Sequence, residues 1–256
     1  MVQIAQLGQI SVGHPTEIAL GGMCAWRLPA DATCASVSRS LLTIALTALR
    51  LGRDMIDDVT LAASELATNA FNHGLRADPL SPPVPPELWL WARVTPSPQL
   101  VVSVFDACRS SFPDAAPRDL LDEHGKGIGI VSMLGADWGA HRSRSRLGVG
   151  YPGKAVWCAF PLRTSWPNPR LTAPPILAAR HLAATLTVRG VHNVEHRHGR
   201  GVSLVTVPMV GTEINVWVEP AHLTYSAPDG SRARRPVVDL HDTAENLTGY
   251  HEGCRG

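Results

Sequence analysis

Four short stretches of this chain carry groups that could do chemistry together. The first is Ser64 to Gly74, SELATNAFNHG. At about 100° per residue, Glu65, Asn69, Asn72 and His73 fall on one arc of a helix. Val59, Ala63, Leu66, Ala67 and Ala70 fall on the neighbouring arc. One face is therefore buried, while the other presents a carboxylate, two amides and an imidazole. Asn is a poor helix former, and two in one turn ask for a compensating role. A carboxylate can take a proton, and an amide oxygen can bind a hard cation. The plainer reading is a solvated polar face, which helices routinely carry.

The second stretch, Val101 to Asp106, is an apolar strand ending in a carboxylate. It suits either a ligand-facing strand end or a turn. The third is His124-Gly125-Lys126-Gly127-Ile128-Gly129-Ile130-Val131. Alternate glycines before an apolar helix let backbone N–H groups approach a phosphate, with Lys126 as a point charge. The pattern is neither the dinucleotide-binding fingerprint nor a P-loop, and glycines also serve plain turns. The fourth, Gly153-Lys154-Ala155-Val156-Trp157, is a glycine turn feeding a strand, a pattern that hairpins also use.

The elements that must position these groups follow from periodicity and punctuation. Residues 1–22 read as a loose arm, and Met23 to Leu28 as a strand closed by Pro29. Asp31 or Thr33 caps a helix through Leu41, Leu42, Ala45 and Leu49 that stops at Gly52. Asp54 to His73 is a second helix, followed by Gly74. A proline-rich loop (78–86) precedes paired strands at Leu88–Val94 and Leu100–Phe105. Residues 107–124 read as a loop, Gly125–Leu134 as a helix and Ala155–Leu162 as a strand. Four prolines mark 164–175 as a linker that few contacts should cross. Beyond it, Ile176–Val188 is a helix, and Val202–Val207, Ile214–Val218 and His222–Tyr225 are strands. A helix near Thr243–Tyr250 ends the chain.

Composition narrows the function classes. At 256 residues and 45% hydrophobic, the chain can bury a core without disulfides or metals. A formal net charge of +1 gives no electrostatic case for nucleic acid or an acidic membrane surface. Cys24, Cys34, Cys108, Cys158 and Cys254 never form a Cys-x-x-Cys pair, which points to a reducing compartment. No signal-peptide pattern opens the sequence, and the longest apolar stretch, Leu41–Leu49, is far short of the ~20 residues that span a bilayer. The expected location is the cytoplasm.

Taken in order, the four stretches resemble the four nucleotide-site boxes of the histidine-kinase-like ATPase superfamily, and above all its stand-alone anti-sigma-factor serine kinases. The flanks agree: Trp26-Arg27-Leu28-Pro29, Asp58, Ala136-Asp137-Trp138-Gly139 and Val156-Trp157. The resemblance spans about residues 23–163. It implies ATP and Mg²⁺ as cofactors. Glu65 matches the acid that orients or deprotonates the attacking group, and Asn69 the amide that binds Mg²⁺. Asp106 matches the adenine-reading carboxylate, and Gly125, Gly127 and Gly129 the hinge of a lid over the phosphates. Asn72 and His73 share the helix face, Lys126 contacts a phosphate, and Lys154 belongs to the fourth box. The sequence departs from the family at Asp106-Ala107-Cys108, which lacks the usual glycines, and at residues 141–152, long and basic for a hairpin. No phospho-accepting helix pair precedes the domain, which argues against a complete sensor kinase.

The implied fold is a two-layer α/β sandwich of the Bergerat type with a mixed, mostly antiparallel sheet, over 1–163. A small α+β domain over 176–256 would follow the linker. The implied function is an ATP-dependent serine/threonine kinase whose partners are a sigma factor and an antagonist protein; the alternative is a non-catalytic ATP- or partner-binding regulator. A homodimer stays open. Residues 176–256 resemble no family. There, His192, His196 and His198 suit a zinc site or, more simply, a solvated basic turn. Arg232–Arg235 reads as a hairpin tip rather than a nucleic-acid patch.

Overall fold

The computed structural model describes residues 11–74, 84–113, 126–148, 150–162 and 166–253. Two antiparallel sheets organise the chain. The first has six strands, β1 (Ser11–Val12), β2 (Met23–Arg27), β3 (Glu87–Arg93), β4 (Gln99–Asp106), β5 (Asp137–Arg144) and β6 (Pro152–Pro161), in the order β1-β2-β3-β4-β6-β5. Helices α1 (Cys34–Ala48), α2 (Arg53–Asn69) and α3 (Lys126–Leu134) belong to the same unit. Their core joins Leu42 and Leu46 of α1 and Ala63 and Leu66 of α2 to Leu88, Leu90, Val102 and Val104 of the sheet. These are the apolar positions that recur at helical spacing, and their burial holds the two layers together.

Strand β4 is buried along its whole length, which is why it reads as an apolar run rather than an alternation. Its other face builds a second, smaller core with Trp89, Trp91, Phe105 and Ala155. Trp89 and Phe105 stack with ring centroids 5.4 Å apart.

The expected loose arm is corrected over 11–22. Strand β1 pairs with β2, and Pro15–Leu20 forms a 3₁₀ turn with a capping box between His14 and Glu17 that buries Ile18. Strand β5 was not foreseen. Its glycine and basic residues hid an edge strand that pairs with β6 from Asp137 to Arg144. Of the long basic hairpin expected over 141–152, residues 141–144 belong to β5 and Pro152 opens β6.

The second unit is a meander, β7 (Glu195–His198), β8 (Ser203–Pro208), β9 (Glu213–Val218), β10 (His222–Ser226) and β11 (Arg232–Pro236). Helix α4 (Pro175–Val188) packs Ala179, Leu182 and Leu186 on it, and α5 (Leu240–Gly253) adds Leu240, Ala244 and Leu247. Arg232–Arg235 is strand rather than hairpin tip, pairing with β10. His196 and His198 stand on the exposed strand β7, and no metal-holding group of three His, Cys, Asp or Glu occurs among the described residues. No helix among them is long and apolar enough to cross a membrane.

The expectation that few contacts cross the linker is corrected. Helix α5 has two faces. Leu240, Ala244 and Leu247 point into the second core, while Asp242, Glu245 and Glu252 reach the back of the first sheet. Glu245 accepts from Arg146 Nη2 (2.6 Å), Arg189 Nη1 (2.7 Å), Ser143 Oγ (2.6 Å) and His141 Nε2 (2.9 Å). The Arg146 guanidinium lies 4.7 Å from the Trp89 ring and that of Arg189 lies 5.4 Å from it. Asp242 accepts from the Trp91 indole, and Asp239 from the amides of Val94 and Thr95.

Candidate functional site

Helix α2 places its working side chains by burying the opposite arc. Val59, Ala63, Leu66, Ala67 and Ala70 are all in the core, which turns Glu65 and Asn69 toward α3. There they meet Gly127. A Cβ on that glycine would come within 2.9 Å of Glu65 Oε2, 3.5 Å of Asn69 Nδ2 and 3.7 Å of Asn69 Oδ1. The absence of a side chain lets the first turn of α3 close on the carboxylate and the amide. Gly129, by contrast, faces open space, so packing does not require a glycine there. Gly125 lies outside the described residues, as does the side chain of Lys126, although the backbone of Lys126 begins α3. Neither Glu65 nor Asn69 hydrogen-bonds another side chain among the described residues, and both are half-buried.

Past Asn69 the helix widens into a single π turn, Ala70–Gly74. Asn72 and His73 are exposed on it. Gly74 ends the turn against β4. A Cβ there would lie 2.5 Å from Asp106 Cβ, so only glycine brings this turn onto the strand end. In the sequence Gly74 reads as an ordinary helix stop, and its contact with Asp106 was not foreseen.

Asp106 is buried at the end of β4, opposite Lys154 in the register of β6. Its Oδ1 accepts from Lys154 Nζ (2.7 Å) and from the Cys108 amide (2.9 Å). Lys154 Nζ also donates to the Cys108 carbonyl (3.1 Å). Burial pushes the Asp106 carboxyl above its ordinary value, against the opposing pull of Lys154, the Cys108 amide and His73. Gly153 lets β6 start tightly here, since a Cβ on it would strike the Asp106 carbonyl at 2.1 Å.

The structure thus forms two centres at the ends of α2 and β4. One is Glu65 and Asn69 under Gly127. The other is Asp106 with Lys154 under Gly74, with His73 close enough to act on the Asp106 charge. Residues 28–149 match the family model of the histidine kinase-like ATPase domain. That stretch is similar to histidine kinase-like ATPase domains. No curated protein matches the chain. The matched stretch includes Glu65, Asn69, Asp106 and Gly127, while Gly153 and Lys154 lie just beyond it.

The family implies ATP, usually with Mg²⁺. The residues present fit such an ion. A hard cation takes oxygen ligands, and Asn69 Oδ1, beside the Glu65 carboxylate, has no side-chain partner among the described residues. With no denser acidic cluster among the described residues, the ion would draw its other oxygens from phosphate and water.

Proposed function

We propose that this chain is an ATP-dependent serine/threonine kinase of the anti-sigma-factor type, acting on an antagonist protein. The observation that carries this reading is the placement of Glu65 and Asn69, half-buried and without a side-chain partner among the described residues, beneath Gly127 at the start of α3. Phosphoryl transfer needs mainly positioning and charge neutralisation. Asp106 would hold the base, and the first amides of α3 would face the phosphates. Asn69 would hold Mg²⁺, which neutralises charge on the phosphate oxygens. Glu65 would accept the proton of the attacking serine or threonine hydroxyl. As the hydroxyl oxygen bonds to the γ-phosphorus, the bond to the bridging oxygen breaks and ADP leaves.

A carboxylate beside a triphosphate does little for ground-state binding, so its use lies in the transfer step, a contribution of ~10²–10⁴-fold. Glu65→Ala should keep ATP affinity and lose transfer to candidate antagonist proteins in a radiolabelled-phosphate assay. Full transfer by that variant would remove Glu65 from the mechanism. A second reading, a non-catalytic regulator, is favoured by the ion pair that already engages Asp106. Parent protein that binds ATP but neither transfers nor hydrolyses it would establish that reading instead.

A further inference from the structure

We propose that Lys154 is a base-reading residue and that it opens the site to guanine as well as adenine nucleotides. The inference rests on Asp106 being the base-reading carboxylate. What distinguishes this site is that the carboxylate never stands alone. Lys154 Nζ holds Asp106 Oδ1 at 2.7 Å, and both side chains are about 95% buried, 5% and 4% exposed. A buried ammonium that leaves its carboxylate loses its compensation, so the pair stays formed when a base arrives. The Cys108 carbonyl fixes the ammonium from a second side at 3.1 Å, and the Cys108 amide fixes the same carboxylate oxygen at 2.9 Å.

The geometry leaves a matched pair of groups. Among the described residues Asp106 Oδ1 is taken by the lysine and the amide and Oδ2 by none, so Oδ2 is the oxygen left to accept from a base. Among the described residues two of the three donors of Lys154 are used, so one is left to give. An isolated carboxylate selects adenine because it accepts from the exocyclic amine and repels the O6 carbonyl of guanine. A carboxylate with an ammonium beside it offers acceptor and donor together. Adenine satisfies the pair with its amine and N1. Guanine satisfies it with its N1–H and amine on Oδ2 and its O6 on the ammonium, an acceptor that lysine suits well. The lysine thereby removes the repulsion that would exclude guanine.

The experiment is calorimetric titration of the full chain with ADP and with GDP, for the parent and for Lys154→Gln, with a thermal melt of each. The amide keeps a donor for Oδ1 and loses the charge. Parent affinities for ADP and GDP within about tenfold of each other are expected, a gap of no more than ~1.4 kcal/mol. Lys154→Gln should weaken GDP at least tenfold more than ADP. Parent that binds ADP but binds GDP more than a hundredfold weaker overturns the inference without any variant, and leaves the ATP-site reading intact. Lys154→Gln that tightens ADP also overturns it, because the lysine would then be a competitor for Asp106. Parent that binds neither nucleotide overturns the ATP-site reading itself.

Discussion

Glu65 and Asn69 are one helical turn apart, yet the proposed mechanism gives them different work, and the difference is measurable. Only a metal ion would touch the Asn69 amide, whereas the triphosphate would lie near both residues. Asn69→Ala should therefore weaken Mg²⁺-ATP by roughly tenfold, ~1.4 kcal/mol, and leave metal-free ATP nearly unchanged. Titrations with and without Mg²⁺ check this, and equal losses would contradict it. The polar arc Glu65–His73 was legible in the sequence because 3.6-residue periodicity survives through Asn69. It fails beyond that point. The π turn at Ala70–Gly74 shifts Asn72 and His73 out of the straight-helix arc, and periodicity carries no sign of such a turn. Nor could one sequence show that Lys154 would pair with Asp106, because that contact needs the register of β4 against β6.

At the scale of elements, α5 matters most. Its sequence reads as a modest helix, since its charged and apolar residues do not form one clean stripe. It in fact buries both sorts, Leu240, Ala244 and Leu247 on one side and Glu245 and Glu252 on the other. Buried carboxylates tie its stability to pH. Burial would raise Glu245, but Arg189, Arg146 and His141 hold it well below 4.5. Its stabilisation is present above that ordinary value and is lost as pH falls. Burial and the neighbouring Arg146 charge hold His241 well below 6.5, so acid below that value also favours unfolding. Asp239 acts with the opposite sign. Burial lifts its carboxyl from 3.8 to about 6, against the Val94 amide. Its stabilisation is full below 3.8 and is lost as pH rises through about 6. Asp239→Asn cannot ionise. Relative to the parent it should gain stability as pH rises from about 4 to about 7, by up to about 3 kcal/mol. Denaturant melts at both pH values measure this, and a constant difference between the two proteins would contradict it.

The whole molecule is two sheets joined through α5. Proline content and the fading of one pattern into another marked the segment near 164–175, and those signals are local. The docking was not legible, because it depends on residues far apart in sequence. Arg146 and Arg189 lie over Trp89, and both pair with Glu245. A chain cut to residues 1–163 would keep Arg146 and lose its carboxylate, leaving a buried charge unpaired and tryptophans uncovered. Losing one partner of a buried pair costs about 3–5 kcal/mol. The fragment should melt well below the full chain or aggregate. A fragment as stable as the parent would show that the two units are independent.

The most direct measurement is calorimetric titration of ATP into the full chain and into Asp106→Asn, with a thermal melt of each to confirm folding. If residues 28–149 hold ATP with Asp106 reading the base, the parent binds with one site per chain. Replacing the carboxylate should then weaken binding by ~1–3 kcal/mol, the penalty for a poorly matched buried amine. A folded Asp106→Asn chain that binds ATP as tightly as the parent would contradict the assignment of the base to this strand end, and a folded parent that takes up no ATP would contradict nucleotide binding altogether.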